Sequence, residues 1–367
     1  MSESVRSSTK HIKLFLPGPV EVRPKILDAQ SNWMIGHRMP ECLELIAGIK
    51  PKLQQVFYTK QRVLFQAGTG TGFWEGASRN CVRNKVLHCT SGAFSDKWLM
   101  VSNAVGKETE ELAFEWGQPV VPDVVAERLS SGEFDALAVV LNETSTGITN
   151  PIKEIAAAVR ALPNGQDITI MVDGVSGMAG CELRFDEWDL DIALCSSQKA
   201  FAMPPGLAMC AVSDRAMEKA KTIPNRGYYW DFIALAKSWD KDQTPNTSPL
   251  PMLYALDVQL DDMMAEGMEN RFARHISMRD MTIAYFKSKG FELYGSEEYA
   301  SPVVTNIANN LNIDINDLNK FLRTKGMILS NGYGALKGKA MRIAHMGDTQ
   351  PSDLEELFAA IDEYLGG

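Results

Sequence analysis

The chain has 367 residues, 45% of them hydrophobic and 23% charged, so it can bury a core, disorder of the bulk is excluded and two domains are expected. Its 37 basic and 46 acidic residues leave a net charge of −9, which gives no footing on a phosphate backbone and argues against nucleic-acid binding. Six cysteines without CxxC spacing or paired histidines argue against a disulfide scaffold, a zinc site or a redox dithiol, and no metal is expected.

Met1 to Lys13 is polar and lacks the apolar run of a signal peptide. No window holds 18 apolar residues in a row, so no membrane span is expected and the chain is read as cytoplasmic. Residues 1–20 end in Leu16-Pro17-Gly18-Pro19 and read as an irregular N-terminal arm. Short apolar runs follow at Gln61–Gln66, Lys85–His88, Ala136–Leu141, Ile168–Val172, Ile192–Leu194 and Ala208–Val212. Between them lie helical stretches such as Pro151–Leu162 and Arg215–Lys221. This alternation predicts an α/β domain with a mostly parallel sheet over residues 21–255. Pro251–Lys289 is a long helix-forming run broken only by Gly267. Phe291–Leu293, Val303–Ile307 and Met341–His345 predict strands, and Leu354–Leu365 a closing amphipathic helix. Residues 256–367 therefore read as a smaller α+β domain.

Three features could carry chemistry. Lys199, in Ser196-Ser197-Gln198-Lys199-Ala200, follows a strand and precedes Pro204-Pro205-Gly206. A desolvated lysine there would be a free amine able to attack a carbonyl, whereas a solvated surface lysine would do nothing. Asp173 ends the run Ile168–Val172. It could hold a metal, a ribose or a protonated ring nitrogen, or simply cap a helix. Gly68-Thr69-Gly70-Thr71-Gly72 frees backbone amides and adds two hydroxyls, and a helix beginning near Phe73-Trp74-Glu75 would present its N-terminus to a phosphate. It fits neither the P-loop nor the dinucleotide spacing. Taken together, a phosphate cradle, a carboxylate after one strand and a lysine after another are what pyridoxal 5′-phosphate requires.

Ser197-Gln198-Lys199-Ala200 with Pro204-Pro205-Gly206, and the opening Leu16-Pro17-Gly18-Pro19, resemble the class V aminotransferases of fold type I. The resemblance is to the alanine–glyoxylate, serine–glyoxylate and serine–pyruvate branch, and it spans nearly the whole chain. It implies a large cofactor-binding domain with a seven-stranded type of sheet and a smaller C-terminal domain. It also implies residue roles. Lys199 would form the Schiff base and shuttle a proton; Asp173 would pair with the pyridine nitrogen, and Val175 would pack on the ring. Thr69, Gly70, Thr71 and Gln198 would meet the phosphate. Phe94 would stack on the ring, and Thr144 would contact the ring oxygen. Arg342 would bind the substrate α-carboxylate, with the Gly18 backbone close by. Thr247 would reach the cofactor phosphate of a neighbouring subunit, implying a homodimer with shared sites. The family often has tyrosine three positions before Thr247, where this chain has Thr244.

His37-Arg38 fits either the glyoxylate-type branch or the phosphoserine aminotransferases, whose paired residues meet a substrate phosphate. The implied reaction is transfer of an amino group from alanine or serine to glyoxylate or pyruvate. The alternative, phosphoserine with 2-oxoglutarate, needs a further cationic pocket, for which His37, Arg38, Arg226 and His345 are the candidates. A cysteine desulfurase would need a mobile nucleophilic cysteine late in the chain, and the last one, Cys210, lies in an apolar strand-like run. A non-enzymatic scaffold would be expected to lose Lys199, Asp173 or Arg342.

Overall fold

Short runs of Val, Ile, Leu and Ala become the interior strands of a seven-stranded sheet in the computed structural model, which describes residues 11–366. In spatial order the strands are Arg62–Gly68, Gly206–Val212, Ile192–Ser196, Thr169–Asp173, Ala136–Val140, Lys85–Thr90 and Glu108–Ala113. Gly206–Val212 runs antiparallel to both neighbours, and the other pairs are parallel. Every residue of Ala136–Val140, Thr169–Asp173 and Ile192–Ser196 is buried, because helices cover both faces. Each aliphatic side chain withdrawn this way contributes about 1.5–3 kcal/mol. The edge strand Glu108–Ala113 (ETEELA) escaped the sequence reading: it is polar and largely exposed, as an edge strand can be.

A second sheet has the order Lys13–Phe15, Met327–Asn331, Ala340–Ala344, Val304–Ala308 and Glu292–Leu293. Its first member comes from the N-terminal arm. Lys13–Phe15 pairs in parallel with Met327–Leu329, so the arm, expected to be irregular, is stitched to the C-terminal unit before it reaches Pro17 and Gly18. The long helical run divides into Leu250–Glu266 and Met268–Ser288 at Gly267, whose φ of +79° suits glycine. The expected boundary after residue 255 falls inside the first of these helices. One apolar core, built on the large sheet, runs along the helices as far as Phe272 and also takes in Val303, Val304, Ala344 and Met346; a second takes in Phe15 and begins on the helices at Met278. Among the described residues no helix is long and apolar enough to cross a membrane.

The parallel strands all end at one edge of the large sheet. Asp173 closes one strand, Lys199 follows Ile192–Ser196, and the helix Gly70–Cys81 starts just past Arg62–Gly68. The carboxyl edge of an open α/β sheet is where such folds place ligands.

Candidate active site

Lys199 stands on a tight turn. Ala202 N–H donates to the Lys199 carbonyl, Ser197 Oγ donates to Pro204 O, and two prolines then stop any helix before the next strand begins at Gly206. The Lys199 side chain points inward and its Nζ donates to Pro17 O. Burial, with Arg342 nearby, pushes its pKa down to about 8, against a weaker opposing pull from Asp173. At pH 7 roughly a tenth of this amine is then neutral, far more than for an ordinary solvated lysine, and the surface-lysine reading fails.

Asp173 is buried, and its Oδ1 accepts a 2.6 Å hydrogen bond from Val175 N–H. Burial raises its pKa to about 7, the Val175 amide and Lys199 opposing. No helix follows it, only turns, so it is not a helix cap. Asp173 and Lys199 line one cavity of about 170 Å³ together with Thr69, Thr71, Thr144 and Phe94. Gly70, Val175 and Gln198 line it too. Three polar atoms of its lining are buried without a partner: Ser196 Oγ, Gln198 Oε1 and Trp74 Nε1. Such orphans are costly in a finished core and are ordinary where a polar ligand completes the site. A larger open depression of about 600 Å³, bordered by Tyr58, Arg184 and Met268, contains none of the expected residues.

The glycine-rich stretch does two jobs. The helix Gly70–Cys81 begins earlier than expected, with Thr69 at its N-cap position making no side-chain cap bond, so its first amides and the exposed Thr69 and Thr71 face the cavity. Twelve residues of helix direct a partial positive charge at that end. Gly70 is required by packing: a Cβ there would lie 2.3 Å from Val175 Cγ2. Gly68 and Gly72 instead make room for Trp230, whose ring would lie 2.8 and 2.1 Å from a Cβ at those positions. All three glycines thus serve packing, one against Val175 and two against Trp230.

Arg342 is only 7% exposed, and among the described residues no carboxylate pairs with it at ion-pair distance, Glu143 acting on its charge only from farther off. Its Nε donates to Asn331 O and its Nη2 to Ser330 Oγ at 2.8 Å. Burial lowers its pKa to about 10, which still leaves it charged at neutral pH. A buried guanidinium with no carboxylate in contact suits an anionic ligand. Phe94 lies over the same space, with Lys199 Nζ 6.0 Å from its ring centroid. Thr144 Oγ1 donates to Ser176 Oγ at 2.7 Å, and Asn142 Nδ2 to the same atom at 2.9 Å.

The remaining expected residues lie apart from this cavity. Gly18 reaches it only through Lys199: a Cβ there would be 2.5 Å from Nζ. Thr247 is exposed. Arg38 donates to Thr244 O, Pro245 O and Gln243 Oε1, so it braces the segment that carries Thr247, with His37 half-buried beside it. Arg226 is engaged by Asp231, Ala220 O and Ile223 O. His345 is buried against Thr305 Oγ1, and burial pushes its pKa down to about 3. Cys210 is buried on an interior strand, and burial pushes its thiol well up, opposite to what a nucleophile needs.

The family model for class V aminotransferases matches residues 27–349. The chain belongs to this family. An uncharacterised aminotransferase of Methanocaldococcus jannaschii is 36% identical over 91% of this chain and 87% of its own length. An L-aspartate–glyoxylate aminotransferase of Paracoccus denitrificans is 32% identical over 92% of this chain and 87% of its own. The crystal structure of an alanine–glyoxylate aminotransferase from Nostoc sp. superposes with a TM-score of 0.91 at 26% identity, covering 98% of this chain and 97% of that one. The chain is thus an aminotransferase of class V with the fold type I architecture.

Several residues of this aminotransferase site were not singled out from the sequence. Trp74 lies one helical turn after Gly70 and so faces the same cavity. Lys97 lies on the helix Ala93–Ala104 at the position one turn after Phe94. Glu143 is fully buried and gathers the N–H groups of Phe94, Ser95 and Ser145 and the Ser145 hydroxyl, so its carboxylate sits on the first turn of the helix that carries Phe94. Spacing within one helix could have flagged Trp74 and Lys97; no local signal marks Glu143.

Proposed function

We propose that this enzyme moves an amino group from alanine or serine to glyoxylate or pyruvate, using pyridoxal 5′-phosphate held on Lys199. The observation that carries this reading is the convergence of three groups: an amine with a lowered pKa, a buried carboxyl, and a buried arginine without a carboxylate partner among the described residues. The cofactor, when bound, supplies the electron sink that makes the substrate α-proton removable. Its fit is supported by the orphaned Ser196, Gln198 and Trp74 atoms and by the start of Gly70–Cys81, which no side chain caps. In this reading Thr69, Gly70, Thr71 and Gln198 hold the phosphate, Val175 and Phe94 sandwich the ring, Thr144 meets the ring oxygen and Asp173 keeps the ring nitrogen protonated. Arg342 forks the substrate carboxylate and so aims the α-carbon at Lys199. The Lys199 amine, whose lowered pKa makes it easier to deprotonate than an ordinary lysine, would be the group that holds and moves the substrate α-proton. Exclusion of water by the surrounding strands strengthens each of these charged contacts.

A homodimer with shared sites is supported by the exposed Thr247 on its braced segment and by the exposed Trp33, Met34 and Tyr228. A reducing cytoplasm suits the six cysteines, all free and buried. The phosphoserine alternative loses support, because Arg226, His345 and Arg38 are committed to structural partners. The test is steady-state kinetics with alanine, serine and phosphoserine as donors against glyoxylate, pyruvate and 2-oxoglutarate. Alanine or serine with glyoxylate or pyruvate is expected to give the highest kcat/KM; a preference for phosphoserine with 2-oxoglutarate would overturn the assignment.

A further inference from the structure

Tyr333 lies on the loop between the strands Met327–Asn331 and Ala340–Ala344, flanked by Gly332 and Gly334. Its ring is 43% exposed, and two contacts fix its place. It stacks on Phe94 with centroids 5.2 Å apart and planes 21° apart. The Arg342 guanidinium carbon lies 5.5 Å from the Tyr333 centroid. Arg342 is thus held on one edge by Ser330 and Asn331, three and two residues before Tyr333, and on one face by Tyr333 itself. What remains free is the edge that would fork a carboxylate. Gly332 permits the arrangement: a Cβ there would lie 2.0 Å from Leu336 O.

The four groups therefore form a chain of contacts in the order Lys199, Phe94, Tyr333, Arg342, of which the first two line the cavity. A substrate with its carboxylate on Arg342 and its nitrogen near Lys199 has its α-carbon between them. Its side chain must then point toward the aromatic pair or away to solvent. We propose that Tyr333 is the specificity-determining residue of the donor subsite, its stacked ring closing the space beyond the α-carbon and limiting the donor to a small side chain. This rests on the reading of Lys199 and Arg342 given above and names what sets the size of the substrate they share. Tyr333 also preorganises Arg342, since a cation held against an aromatic face loses less freedom on binding.

The experiment compares wild type with Tyr333→Ala and Tyr333→Phe as cofactor-loaded enzymes, measuring kcat and KM separately for alanine, serine, 2-aminobutyrate and methionine. Removing the ring is expected to raise kcat/KM for methionine relative to alanine by about tenfold or more, through KM, because one methylene of accommodated size is worth at least about that factor. Tyr333→Phe keeps the stack and should hold the ratio within about twofold of wild type. A folded Tyr333→Ala enzyme with an unchanged methionine-to-alanine ratio overturns the Tyr333 assignment alone. A cofactor-loaded wild type inert toward every donor overturns the functional reading and this inference with it.

Discussion

Gly18 offers the sharpest single perturbation. Its φ is +126°, and a Cβ added there would lie 2.5, 2.6 and 2.7 Å from Nζ, Cδ and Cε of Lys199. Non-bonded carbons rest at about 3.5–4.0 Å, so Gly18→Ala must displace the lysine end by about 1 Å. The side chain is flexible, but its nitrogen is the reacting atom, and a misplacement of about 1 Å can cost about 10²-fold in rate. Alanine at this φ adds about 1–3 kcal/mol of backbone strain. The expected result is a fall of about 10²-fold in kcat/KM with a stability loss of about 1–3 kcal/mol. Gly48→Ala is the control: Gly48 sits inside the helix Pro40–Val56, and a Cβ there would meet nothing within 4 Å. It should raise stability by about 0.5–1 kcal/mol and leave the rate alone. The assays are steady-state turnover and chemical denaturation of both variants. Gly18→Ala turning over within twofold of wild type would refute the placement of the arm against Lys199.

Asp173→Asn separates stability from function. Burial raises the Asp173 pKa from the ordinary 3.8 to about 7, so as pH rises from 4 the unfolded chain loses this proton first and the folded state loses stability until about pH 7. The asparagine variant is therefore expected to melt higher than the cofactor-free wild type at pH 8, by about 1–3 kcal/mol, with a smaller gain at pH 5, while activity falls at least about 10²-fold; an equal gain at both pH values would contradict the burial argument. Arg342→Lys keeps the charge and loses the fork, so KM for donor and acceptor should rise together by about 10²-fold with a lesser change in kcat, as steady-state kinetics will read. Glu143→Gln puts an amide against the donors of Phe94, Ser95 and Ser145, and should cost about 2–3 kcal/mol in denaturation experiments while loosening Phe94 over the site.

The interior strands were legible because each is a short apolar run ending at a polar or small residue, and Lys199 and Asp173 stood out by following such ends. The strands Glu108–Ala113 and Met327–Asn331 were not legible, since both carry polar residues that a half-covered position allows. Local propensity places the helix start after the glycines; packing of Gly72 against Trp230 and of Gly70 against Val175 draws it back to Gly70. Arg342 was assigned through family resemblance, and its burial without a carboxylate partner supplies a physical reason. Tyr333 was out of reach for another cause: its partners Phe94 and Arg342 belong to different sheets and helices, and only the folded chain brings them together. His37-Arg38, read toward the substrate from the resemblance, has its arginine donating to the Thr244 and Pro245 carbonyls, a set of partners distant in sequence that no local pattern announces.

The central claim is that Lys199 is the residue that carries the cofactor. Purified protein loaded with pyridoxal 5′-phosphate, reduced with borohydride and digested, should give a single pyridoxyl-modified peptide, the one containing Ser197-Gln198-Lys199-Ala200, with the visible absorption band lost on reduction. Modification at another lysine, or none despite saturating cofactor, would contradict the account.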